Sequence, residues 1–206
     1  MKKGFTLVEL LVVIAILALL MSIVIVTLNP AEILRKTRDT KRVSDLNSLY
    51  TALNLYVTDR TSPDLDAANA CATDIFYSLD STACPTVSVS QSPRISPICV
   101  TAANLRSVTN SGWIPVAFTS ISSGSPLSAL PVDPTNTLAS KLYYTYACDG
   151  TNVTFELNAA MESLYYKADG DGDVVSKDGG NAGTLYEIGS DPGLDLIGTP
   201  VTNFYL

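Results

Sequence analysis

Between Phe5 and Leu28 the chain runs through 24 residues with one charged side chain, Glu9. As a helix this stretch is about 36 Å long, enough to cross a hydrocarbon core of about 30 Å. Lys2 and Lys3 precede it, and the positive-inside rule keeps that end cytoplasmic. A secretory signal has an apolar region of about 7–15 residues closed by a small-residue cleavage site. This run is longer, and no such site follows it. The pattern therefore predicts a membrane-spanning helix over 5–28. Glu9 lies near its end, where a carboxylate costs less than the about 2.5–3.5 kcal/mol of a central position.

The pattern then changes period. In "LNPAEILRKTRDTKRVSDLNSLYTALNLYVTD", Val43, Leu46, Leu49, Tyr50, Leu53, Tyr56 and Val57 recur at steps of three and four. That spacing predicts an amphipathic helix over 29–59 with one face on a globular head. Asn29 as cap, Pro30 at the first helical position and Glu32 at the third form a capping-box-like start. Pro30 thus marks either a kink in one long helix or a brief break between two. Pro63 and the polar residues around it end the helix.

Residues 60–206 read as the head. Over 60–140 the chain is rich in Ser, Thr, Pro and Ala, with short apolar pieces such as "GWIPVAF". We expect turns, a short helix near Ala102–Leu105 and one strand there. The alternating segments 142–148 and 153–159 flank Asp149-Gly150, a hairpin signal in which the loop can exceed two residues. "SLYYKA" and "TLYEIG" are further strand candidates, and the tyrosines suit core and cross-strand packing. The predicted fold is α+β: a long N-terminal helix packed on a small antiparallel sheet.

Charge narrows the function classes. The chain carries 20 acidic and 13 basic residues, a net charge of -7, which weighs against a broad nucleic-acid surface. Five cations cluster at Arg35, Lys36, Arg38, Lys41 and Arg42. They suit a solvated helix face pairing with Asp39 and Asp45, or contact with the acidic heads of neighbouring copies. With no His, the commonest general base and the commonest zinc ligand are missing. No phosphate loop, nucleophile elbow or Cys/His pairing points to an enzyme.

Cys71, Cys84, Cys99 and Cys148 all lie beyond the apolar run and form no CxxC. An even number beyond a membrane segment suggests an oxidising compartment and two disulfides. Of the three connectivities we expect Cys71–Cys84 and Cys99–Cys148; four buried thiols are the alternative. In "ADGDGDVVSKDGG", Asp169, Asp171 and Asp173 alternate as calcium ligands do, with Asp178 as a further oxygen donor. Val174 and Gly180 stand where an EF-hand loop needs Gly and Glu, so calcium would bind in some other geometry, and a solvated Asp-Gly turn run is the alternative.

"KKGFTLVEL" resembles the leader and first residues of type IV pilins and of the related pseudopilins of type II secretion. The resemblance implies cleavage by a prepilin peptidase after Gly4, removal of residues 1–4, and N-methylation of Phe5. Glu9 matches the family's glutamate and would pair with the new amine of a neighbour's Phe5. "LPVDP", the Tyr-rich strand, the hairpin and "FELNAAME" resemble, more loosely, the head of major pseudopilins, some of which hold calcium near the C-terminus. Pro30 lies a few residues later than the helix-distorting proline of related pilins. The implied role is a structural subunit, not an enzyme. It starts as a single-pass inner-membrane precursor with its head outside the cytoplasm. It then polymerises with copies of itself and minor relatives, on an inner-membrane assembly platform, into a cell-surface or periplasmic filament. The competing class is a membrane-anchored binding module that never polymerises.

Overall fold

The computed structural model describes residues 4–67, 71–85 and 96–194. Met1–Lys3 and the last stretch of the head, 195–206, lie outside the described residues.

Two helices come first. α1 spans Leu7–Leu28 and α2 spans Pro30–Asp59. Asn29 separates them in a left-handed conformation, φ 40° and ψ 75°, so the junction is a break and not a bend. Its side chain accepts the Glu32 amide at 3.4 Å, and Pro30 occupies the first helical position, where no donor is lost. α1 is apolar on every side, and its described side chains are exposed.

A five-stranded sheet follows: β1 Asp74–Asp80, β2 Ser96–Val100, β3 Tyr144–Asp149, β4 Thr154–Ala160 and β5 Leu185–Gly189, in the order β2-β1-β3-β4-β5. Every pair is antiparallel except β1 with β2, which is parallel. α2 lays Leu46, Leu49, Leu53 and Tyr56 on one face, in one core with Phe76, Tyr146, Phe155 and Leu157. The opposite face buries Ile75, Tyr77, Leu79, Tyr143 and Leu185. "GWIPVAF" is neither helix nor strand for most of its length, yet it buries Trp113, Ile114, Val116 and Phe118. The Trp113 indole donates to the Pro131 carbonyl at 2.9 Å, which satisfies its polar end inside the core.

Three sequence expectations need correction. Residues 60–140 hold two strands, β1 and β2, and not one. The stretch near Ala102–Leu105 is a run of turns closed by Thr101, whose carbonyl accepts the Asn104 and Leu105 amides, and it does not continue as a helix. "SLYYKA" is also a turn: the Ser163 hydroxyl accepts the Tyr166 amide, and Tyr165 packs edge-on against Tyr166 at 4.9 Å. The hairpin stands, with a loop over 150–153 in which Asp149 accepts the Thr151 and Asn152 amides.

Candidate functional site

The N-terminus is built around Thr6 and Glu9. Thr6 caps α1, and its hydroxyl accepts the Glu9 amide at 3.2 Å. Glu9 reaches back and accepts the Thr6 amide and hydroxyl, each at 2.8 Å. This reciprocal capping box satisfies two donors that a helix start leaves orphaned. Glu9 is therefore anchored at the third position of α1 within a single chain. Phe5, just before the cap, is 86% exposed. At Gly4 an added Cβ would meet nothing within 4 Å.

A second centre joins α2 to the head. Arg42 is fully buried with Asp39 and Asp133. Its guanidinium donates to Asp39 at 2.6 Å and to both oxygens of Asp133 at 2.5 and 2.9 Å, and it lies 2.7 Å from Glu162. Asp39 also accepts the Glu162 and Ser163 amides. Asp133 accepts the Thr135 and Asn136 amides. Burial alone would lower the Arg42 pKa, but the bonds to Asp133, Glu162 and Asp39 outweigh it and hold it above its ordinary value. Glu162, bonded first to Arg38 and then to Arg42, is held down at about 2. Of the five clustered cations, Arg38, Lys41 and Arg42 thus have carboxylate partners within 3.0 Å, while Lys36 stacks on the Tyr165 ring at 3.2 Å.

The expected cysteine pairing is overturned. The bridges are Cys71–Cys148 and Cys84–Cys99, with no free thiol among the described residues. The sheet order is the reason. β1 lies beside β3 and runs antiparallel to it, which brings Cys71, three residues before β1, to the end of β3. The parallel return of β2 brings Cys99 back to the end of β1.

The aspartate run places its carboxylates apart. Asp173 accepts the Asp169, Val175 and Ser176 amides and the Ser176 hydroxyl. These bonds, the Ser176 hydroxyl first, hold it at about 2. Asp178 accepts the Gly180 and Glu187 amides, yet burial raises its pKa. Asp169 and Asp171 are exposed. Among the described residues no three of these carboxylates converge, so this arrangement does not fit a calcium ion.

A separate acidic pair went unread in the sequence. Glu156 on β4 and Glu187 on β5 are 0% and 2% exposed on the sheet face away from α2. Glu156 accepts the Leu194 amide at 2.9 Å, and Glu187 accepts the Ala182 amide at 2.7 Å. Burial, and then the Glu187 carboxylate, push Glu156 up to about 9. At neutral pH it holds its proton, because two adjacent buried carboxylates cannot both ionise cheaply.

Comparison with known proteins reports on the N-terminus alone. Residues 1–25 match the family model described as the prokaryotic N-terminal methylation motif. The chain therefore carries the leader signature of type IV pilin and pseudopilin precursors. No curated protein and no solved structure matches the chain.

Proposed function

We propose that this chain is a structural subunit of a type IV pilus or a type II secretion-like pseudopilus. The observation that carries this reading is the exposed apolar α1 opening on the methylation motif. A helix apolar on all sides must be covered by lipid or by other helices. Lipid covers it in the single-pass precursor, and copies of α1 cover it in the filament core. Gly4 supports an outside reader of the leader. Neither crowding nor a left-handed backbone calls for glycine there, which suits a residue read by the prepilin peptidase that cuts before Phe5.

The cut creates an α-amine at Phe5, charged at neutral pH with a pKa of roughly 8. Glu9 of a neighbouring subunit meets it. At about 4 Å such a pair attracts by about 4 kcal/mol at an effective dielectric of 20, and desolvation opposes it. The pair thus selects axial register more than it adds affinity. Head-to-tail repetition of one contact gives an open filament. Minor relatives, the peptidase and the membrane assembly platform are the further partners, and the head stands outside the cytoplasm.

Mass spectrometry of the mature chain tests the reading. An N-methylated Phe5 at the N-terminus is expected. An intact Met1 in the membrane-inserted protein would sink the subunit reading and favour an anchored binding module. Glu9→Val separates register from anchoring: the variant stays membrane-bound and is cut, but is lost from filaments.

A further inference from the structure

One cleft in the head gathers cations that the ion pairs leave over. It has a volume of about 720 Å³ and is lined by Arg35, Lys141 and Lys167 over an apolar floor that includes Met161, Val175 and Leu185. Glu162 also lines it, but that carboxylate is already bonded to Arg38 and Arg42. Among the described residues Arg35 pairs with Glu32 alone, at 3.6 Å. Among the described residues no carboxylate pairs with Lys141 or Lys167. In a chain of net charge -7, three weakly partnered cations at one cleft mark a place for an anion. Lys141 also sits at φ 59°, in the left-handed region that L-residues enter at a cost.

Position along the chain says where the anion lies. Arg35 is seven residues beyond Leu28, the end of the apolar helix; with at most about 3.8 Å for each of the two steps across Asn29 and about 1.5 Å per residue along α2, it lies within about 15 Å of that end. The headgroup layer occupies about 5–8 Å on each side of the hydrocarbon, and a long cationic side chain spans the difference by snorkelling. This holds whatever angle α1 makes with α2. The apolar surface agrees: Ile33, Leu34 and Leu164 are 51%, 60% and 72% exposed, and the Leu164 amide donates to Glu32 on the first turn of α2. Exposed Ile and Leu beside cations is the composition of an interfacial contact.

We propose that the cleft binds the phosphate headgroup of an anionic phospholipid and seats the head on the membrane surface before assembly. The inference needs only the apolar anchor and holds whether or not the chain polymerises. Its test uses the full chain in detergent micelles, with native mass spectrometry to count retained lipid. The unsubstituted chain retains one phosphatidylglycerol and no phosphatidylcholine. The Lys141→Gly/Lys167→Ser variant retains phosphatidylglycerol about 30-fold less, a factor of about 5 for each cation removed. Its thermal midpoint stays the same or rises, since glycine relieves the left-handed position. Equal retention by the variant, or equal retention of phosphatidylcholine, overturns the proposal. So does displacement by an equal concentration of glycerol phosphate, which marks a free-anion site. Chain dimers that the variant loses, with no lipid retained, overturn it in favour of a second copy's acidic face.

Discussion

Replacing Arg42 by Ala leaves Asp39 and Asp133 buried without their counter-charge. Breaking a buried pair from one side costs about 3–5 kcal/mol. Both carboxylates keep amide donors, so the lower end applies, a fall of roughly 6–12 °C in thermal midpoint for a chain of this size. Arg42→Lys recovers little, because a compact ammonium lacks the planar fork that holds both oxygens of Asp133 while also reaching Asp39. The phase of Arg42 was legible in the sequence: with Leu46, Leu49 and Leu53 it falls on one helix face at steps of four, three and four. Reading the five cations by charge and not by phase hid it, and nothing local marks Asp133 or Glu162 as its partners. Glu156 gives a second prediction. Its folded pKa is about 9, against an ordinary value of 4.5. The neutral acid is thus favoured in the fold, and its contribution is fully present below about pH 4.5 and lost as pH climbs toward 9. Glu156→Gln flattens that decline: against the unsubstituted chain its midpoint gain grows between pH 5 and pH 9, to several °C in a thermal scan. An unchanged difference across that range would place the proton elsewhere.

Elements were legible where one face is wet. α2 shows its period because its outer face is solvated, and the β3–β4 hairpin is marked by alternation and Asp149-Gly150. β1, "DIFYSLD", is buried on both faces, so alternation gives no signal and the strand reads as one short apolar piece among several. Missing β1 also hid the cysteine pairing, since adjacency of β1 to β3 decides it. The two bridges predict a graded loss. In the loop-entropy picture Cys84–Cys99, 15 residues apart, contributes about 3 kcal/mol, and Cys71–Cys148, 77 residues apart, about 4.5 kcal/mol. Urea midpoints of the paired Cys→Ala variants should fall in that order. The Asn29 break was half legible: cap and proline were visible, but the choice between kink and break rests on a left-handed residue that the sequence does not announce.

At the scale of the molecule an unburied apolar helix is joined by one residue to a head with its own core. The head holds α2 by an apolar seam and by the Arg42 cluster, so both helix and head survive without α1 contacts. Calcium gives a check at this scale. With Asp173 and Asp178 already engaged by backbone amides, millimolar calcium leaves the thermal midpoint of the full chain within about 1 °C. A rise of several degrees would mean that the aspartate run opens into a binding site.

The outer bridge has a mechanical consequence. Cys84–Cys99 lies inside the loop that Cys71–Cys148 closes. A pull between α2 and the C-terminal end therefore travels through the outer bridge and bypasses the 77 residues it spans. At about 3.3–3.6 Å per extended residue, the oxidised head yields about 250–280 Å less length under load than the reduced one. Stretched as a link in a chain, the subunit would give way at its edges and keep β1, β2 and β3 out of the line of force.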